Sequence, residues 1–395
     1  MRNLKIGVYG LMRGKSHIKS VNLLEGAEIC AICDRDEEVC AKAKELCSDD
    51  VKVFTDWDSF IHSGMDVVVL ANFFHEHAKC AIEAMELGID VISECTAAAT
   101  MQECADLCRA VERTGRTYCL AENGAYELGP LEMRRVFRTG VLGAPVYGEG
   151  EYVHPTDRMA PPTWNVTSEH HWRNYCPATY YLTHSIGPIM YVTDAEVKRV
   201  IGKTAPFYDE RTKTTGDIID GTGMMLCEMS DGSLFRFCGC SAYAPHENWR
   251  RIACVKGCCE TVRGDVDSVR VAFNPWSTPE DWDKPAVYKQ EVESEEELER
   301  MKDTGHGGID YRMMKDIFAD LLAGRQPYFD VYRSVNMSAA AILGWRSILN
   351  DSVQLTLPDF RDEESRKICD GDTATPFPNM DGTGDVIPSI FSTLK

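Results

Sequence analysis

The chain has 395 residues, 44% of them hydrophobic, and its 62 acidic against 42 basic side chains give a formal charge of -20. That length accommodates two ordinary domains, while the negative field repels phosphate backbones and anionic membrane surfaces, so neither nucleic acid nor membrane is an expected partner. The N-terminal residues are too interrupted for a signal peptide and no run of 18 apolar residues occurs, which predicts a soluble, cytoplasmic protein. The 17 cysteines are scattered through apolar segments and are expected to be reduced and buried. Cys30 and Cys33 form a C-x-x-C within one predicted strand, with no second pair at zinc spacing, so no metal is expected.

In chain order, "NLKIGVYG" reads as an apolar strand ending in glycine and "LMRGKSHIKSVNLL" as a helix. The unit recurs: "AEICAIC" before a helix over 36–46, "MDVVVLA" before "HEHAKCAIEAMELG", "IDVISE" before "TMQECADLCRAVERTG", and "RTYCLAEN" before "YELGPLEMRRVFRTG". Strands apolar nearly throughout, each joined to the next by a helix, predict a parallel sheet covered on both faces, a doubly wound dinucleotide-binding domain over residues 1–123. After about residue 145 the pattern turns to alternating strands, with hairpin turns at Asp231-Gly232 and near Lys256-Gly257. This predicts an open, mainly antiparallel sheet in a second α/β domain over 124–360, which also carries helices near 308–323 and 332–350. The Pro-, Gly- and Asp-rich tail over 361–395 either wraps a surface or is disordered.

The first turn places Gly7, Gly10 and Gly14 where a pyrophosphate can approach backbone N–H groups at a helix N-terminus, with Met12 and Arg13 inside the turn. Met12 stands where the second glycine of G-x-G-x-x-G belongs. About 20 residues beyond, at the end of the second strand, Asp34 is placed to hold the adenosine ribose and disfavours a 2'-phosphate. That points to NAD, although Arg35 beside it offers a phosphate a cation.

The series "GLMRG", "CDRD", "ANFFHEHAKCAIEAMELGIDVISE" and "AENGAY" resembles the Gfo/Idh/MocA group of nicotinamide-dependent sugar oxidoreductases. That resemblance implies that Asn72, His77, Glu94 and Asn123 line the nicotinamide side of a cleft, and that an open sheet face supports a homodimer or larger homo-oligomer. Most of the group read Glu-Lys-Pro where this chain has Glu94-Cys95-Thr96, and the lysine is their usual proton carrier. Three readings survive its loss: a non-catalytic NAD- and sugar-binding relative, a net NAD(P)-dependent sugar dehydrogenase with a substitute base, or a branch with different chemistry.

The segments "GEGEYVH", "HHWRN", "THSIGPI", "HGGIDY" and "PDF" follow in the order seen in the group's NAD-dependent glycoside hydrolases, similar to α-N-acetylgalactosaminidases of glycosidase family 109, which also lack the lysine. The resemblance implies a carbohydrate glycoside as substrate, cleaved through C3 oxidation, C2 deprotonation, elimination, water addition and re-reduction. It matches Tyr152 to the C2 base and His184 to the histidine facing the oxidised hydroxyl. On the residues alone, Tyr152 is equally a half-buried aromatic on an alternating strand and His184 a helix cap. His154, on the strand face of Tyr152, and Trp172, Arg173, His306 and Asp310 are candidates for binding substrate.

Overall fold

The computed structural model describes residues 3–155, 172, 175–207, 219–240, 245–378 and 384–388. The chain forms two compact units, each built from three pieces. The first comprises Met1–Asn123, Glu293–Val335 and Phe360–Gly371, the second Gly124–Val292, Asn336–Asp359 and Asp372–Lys395. The expected contiguous domains 1–123, 124–360 and 361–395 are thus interleaved, because segments from the second half of the sequence pack onto the N-terminal unit.

In the first unit the chain runs through β1 (Leu4–Tyr9), α1 (Leu11–Val21), β2 (Ala27–Cys33), α2 (Glu37–Lys44), β3 (Lys52–Phe54), α3 (Trp57–Ile61), β4 (Val67–Leu70), α4 (His77–Glu86), β5 (Asp90–Ser93), α5 (Met101–Thr114) and β6 (Tyr118–Leu120). The six strands are parallel and lie in the order β3-β2-β1-β4-β5-β6. This is the doubly wound arrangement that the apolar strands imply. All four residues of β4 are buried, which stabilises the fold by ~1.5–3 kcal/mol for each such side chain. Strong local signals end the helices. Asp36 caps α2 by accepting from the Glu38 and Val39 N–H groups, and α5 starts with a Thr100/Glu103 capping box and stops at Gly115 in the left-handed region.

The second unit carries α6 (Leu128–Arg138), β7 (Pro145–Val153), α7 (Thr183–Thr193), β8 (Val197–Phe207), β9 (Ile219–Met229), β10 (Leu234–Cys240), β11 (Arg250–Cys254), β12 (Gly257–Val262), β13 (Asp265–Phe273) and β14 (Val287–Lys289). The chain then returns to the first unit for α8 (Glu295–Met301) and α9 (Ile309–Leu322). Next come α10 (Val331–Leu349), β15 (Leu355–Thr356) and α11 (Glu363–Arg366). Nine strands form one sheet in the order β14-β13-β12-β11-β7-β10-β9-β8-β15. It is antiparallel as expected except at its centre, where β7 and β10 run parallel.

Gly150 on β7 lets α7 onto this sheet, and Gly148 makes room for a ring of the neighbouring β10. A Cβ at Gly150 would stand 2.7 Å from the Ser185 carbonyl oxygen of α7, and one at Gly148 would overlap the Phe235 ring. Farther along, Asn336 on α10 completes the backbone of Val197, accepting its N–H and donating to its carbonyl, each at 2.9 Å. The tail is not free chain where it is described. Arg346 pairs with Asp372, Phe377 packs edge-on against Tyr180, and the Trp345 indole N–H donates to the Pro388 carbonyl. Among the described residues no helix is long and apolar enough to cross a membrane, and every cysteine whose side chain is described is a free thiol.

Candidate active site

The C-terminal ends of β1, β2, β4, β5 and β6 carry Gly10, Asp34, Asn72, Glu94 and Asn123, all at one edge of the parallel sheet. In such sheets a dinucleotide lies across this edge at the point where strand order reverses, here between β1 and β4. Gly10 has φ 87°, and a Cβ there would come within 2.3 Å of the Ala71 and Asn72 backbone, so only glycine closes this turn. Gly14 is a packing glycine, its missing Cβ leaving room for Val8. The first turn of α1 has neither a side-chain cap nor an acidic residue, and Met12 at its start is 48% exposed. Beyond the Leu11 N–H, which Asp34 takes, the Met12 and Arg13 amides of this first turn are placed to receive an anion.

Asp34 is held by two backbone donors, the Leu11 N–H at 2.7 Å and the Asp36 N–H at 3.1 Å, one to each carboxylate oxygen. Arg35 is turned to Glu76 at 2.6 Å and lies over the Phe73 ring. Glu76 thus competes with a 2'-phosphate for the Arg35 charge, in agreement with NAD as the cofactor. Asn72 donates to Glu76 at 3.2 Å and keeps a buried Oδ1 with no hydrogen-bond partner among the described residues. These residues fit a dinucleotide. His77, by contrast, is buried with its ring nitrogens against the Thr96 and Asn72 carbonyls at 2.9 and 3.3 Å, and burial pulls its pKa down. It fastens the loop after β4 to the loop after β5.

Glu94 accepts from Arg13 Nε at 2.8 Å and from His17 at 2.7 Å on the same oxygen. Burial alone would raise its pKa, but the Arg13 charge and the His17 hydrogen bond outweigh it and hold it at about 2. The Arg13 guanidinium also grips Asp310, with Nη2 3.0 Å from Oδ1. Asp310 receives Asn123 at 3.1 Å and His306 at 3.0 Å as well. Burial opposes its ionisation, yet His306 and Arg13 hold its carboxyl far below the usual range. Gly305, at φ 109°, makes room for this carboxylate, since a Cβ there would strike it. Asp310 is completely buried, so its oxygens serve Arg13, Asn123 and His306, whereas the His306 side chain is 54% exposed. Where the lysine is missing, the Cys95 thiol donates to the buried Glu122 carboxylate at 3.1 Å.

In the second unit, β7 presents Tyr152 on the same face as Gly150, and α7 presents His184 beside it, the two rings 4.7 Å apart. Tyr181 stacks on Tyr152 at an interplanar angle of 4°, and Trp172 stacks on Tyr181. His154 and His246 approach Tyr152 edge-on, with ring centroids 5.7 and 6.4 Å from it. Tyr152, His154, Trp172 and His184 thus meet in one aromatic cluster. Arg173 lies outside the described residues. Sequence reasoning missed Tyr181, His246 and His17. Two of these carried a signal: Tyr181 is three residues before His184, and His17 is four after Arg13 on the same helical face.

Residues 4–122 match the family model described as oxidoreductase family, NAD-binding Rossmann fold, and residues 197–366 match the model of the glycosyl hydrolase 109 C-terminal domain. Among curated proteins the chain is 26% identical to glycosyl hydrolase family 109 protein 1 of Bacteroides fragilis, covering 90% of this chain and 85% of that one. It is 24% identical to an alpha-N-acetylgalactosaminidase of Shewanella oneidensis, over 91% and 85%. Among solved structures, levoglucosan dehydrogenase in complex with NADH and levoglucosan superposes with a TM-score of 0.75 at 18% identity, covering 91% of this chain and 100% of that one. A myo-inositol 2-dehydrogenase of Lactobacillus plantarum gives 0.68 at 18% identity, over 90% and 99%. At these identities the structures establish a shared fold, and residues 4–122 constitute an NAD-binding Rossmann domain.

Proposed function

Since the chain joins an NAD-binding domain of the oxidoreductase family to a glycosyl hydrolase 109 C-terminal domain, we propose that this NAD-dependent enzyme cleaves a glycoside without net oxidation. The observation that carries the reading is the contact of Tyr152 with His184, an acid–base pair set in a wall of stacked rings. Relatives named glycosyl hydrolase family 109 protein and alpha-N-acetylgalactosaminidase support a sugar glycoside as substrate.

Gly10, the open amides of α1, Asp34 and Asn72 would hold NAD, which supplies a site that takes a hydride from a sugar carbon and later returns it. The protein's own task is proton transfer. His184 accepts the proton of the sugar's C3 hydroxyl as that carbon is oxidised and gives it back at the end. Tyr152 removes the C2 hydrogen, acidified by the neighbouring carbonyl, so that the C1–O bond to the aglycone breaks by elimination. Water then adds at C1, the proton it gives up balancing the one the departing aglycone oxygen takes, while C2 regains a proton from Tyr152. No pair of carboxylates flanking the glycosidic bond is needed. The faces of Tyr181 and Trp172 suit the apolar faces of a sugar ring, and His154 and His246 offer hydrogen bonds to its hydroxyls. By the same resemblance the open face of the nine-stranded sheet would support a homodimer or larger homo-oligomer, which sedimentation would check.

The test is incubation of the NAD-loaded protein with aryl glycosides in deuterated water. Aglycone release with deuterium at C2 and no accumulating NADH is expected. Stoichiometric NADH with the glycosidic bond intact would make the protein a net sugar dehydrogenase instead.

A further inference from the structure

Arg13 is a single cation set between two carboxylates, Glu94 after β5 and Asp310 at the start of α9. Asp310 is completely buried and the Glu94 side chain only 14% exposed, so water screens neither well. His17, His306 and Asn123 complete the cluster by hydrogen bonds. Its two carboxylates share one guanidinium, an excess of one acidic side chain over Arg13. Its Glu94 and Asn123 follow β5 and β6, on the opposite side of the switch point from Asp34, while Arg13 and His17 reach them from α1. A dinucleotide with its adenosine ribose at Asp34 lays its nicotinamide half on this side. The nicotinamide ring carries a positive charge when oxidised and none when reduced.

We propose that the Glu94–Arg13–Asp310 cluster sets the redox balance of the bound cofactor, its excess negative charge making the domain hold oxidised NAD more tightly than NADH. The physical reason is that a buried charge interacts with only one of the two cofactor states, and no solvent reorganises to cancel the difference. The first turn of α9 offsets part of the Asp310 charge, which leaves Glu94 the stronger contributor. Arg13 has the opposite sign. Its grip on both carboxylates keeps them ionised and fixed, and so sustains the field. The consequence for a cycle that returns its own hydride is a resting enzyme poised to oxidise. The inference requires only an NAD-binding domain and is independent of which sugar bond is cleaved.

The experiment compares the dissociation constants of NAD and NADH for the full-length protein at pH 8, by calorimetry and by NADH fluorescence. The ratio is the readout, because a change in ordinary contacts shared by both cofactor forms cancels in it. Wild type is expected to favour NAD on the order of tenfold. Glu94→Gln and Asp310→Asn should each shrink that preference by about threefold or more, while the charge-conserving Asp310→Glu should retain it. Should Asp310→Asn fail to fold around Arg13, Glu94→Gln decides alone. A ratio in Glu94→Gln within about twofold of wild type, or a wild-type protein that favours NADH, would overturn the proposal.

Discussion

Replacing Gly150 by alanine tests whether the packing of α7 on β7 sets the acid–base geometry. The added Cβ would lie 2.7 Å from the Ser185 carbonyl oxygen and 3.0 Å from the Phe237 ring, against about 3.4 Å for an ordinary contact. The deficit at Ser185 is therefore about 0.7 Å, and the obstacle is helix backbone, which cannot rotate aside as a side chain can. Helix α7 must lift by several tenths of an ångström and take His184, the residue before Ser185, away from Tyr152. Overpacking of this kind costs ~1–3 kcal/mol of stability, and a displacement approaching 1 Å at a reacting group lowers a rate by roughly 10²-fold. The assay is kcat for aryl-glycoside cleavage beside the dissociation constant for NAD and the thermal midpoint. A fall in kcat of about 10- to 100-fold with NAD affinity unchanged is expected. Undiminished kcat in a folded Gly150→Ala protein would refute the claim that this contact positions His184.

Tyr152→Phe should abolish deuterium incorporation at C2 while NAD binding persists; exchange that survives unchanged removes Tyr152 as the base. Asp34→Ala should weaken NAD binding, because it removes the ribose acceptor and frees the Leu11 N–H, and equilibrium titration reads this directly. Glu94, held at about 2 against an ordinary value of 4.5, binds fewer protons folded than unfolded near pH 4. Its stabilising contribution is therefore complete above about pH 4.5 and is lost as pH falls towards 2. Acid titration of unfolding should accordingly be shallower in Glu94→Gln across that window. Phe377→Ala, which removes the ring behind Tyr180, should lower stability by ~3–5 kcal/mol in thermal or denaturant unfolding.

The parallel half of the fold was legible because β1, β4 and β5 are apolar on both faces, a pattern that only a sheet covered twice requires. The parallel pairing of β7 with β10 was not, since an alternating strand looks the same beside either kind of neighbour and here the paired residues are 87 positions apart. The short strands β3 and β15 left no periodicity to read. At the site, Gly10 and Asp34 were visible through local spacing. Asp310 was singled out as a residue for binding substrate, yet its carboxylate faces Arg13, 297 positions away in sequence, and no local pattern reveals a partner at that distance. The grouping of Tyr152 with His184 rests on tertiary contact between a strand and a helix, which the motifs suggested only through resemblance.

The interleaving of the two units bears on how the protein is made. On the ribosome, residues 1–123 emerge first with all six strands of the parallel sheet, but the pieces that complete their unit arrive only with Glu293–Val335 and Phe360–Gly371. Until Asp310 has been synthesised, Arg13 lacks one of its two carboxylates, and until α11 appears, Glu112 on α5 lacks Arg366. The nascent N-terminal segment therefore waits, incompletely paired, through the translation of most of the second unit. Such a chain depends on holding chaperones in proportion to that delay, and a fragment ending at residue 123 is expected to be recovered as aggregate rather than as an autonomous NAD-binding module.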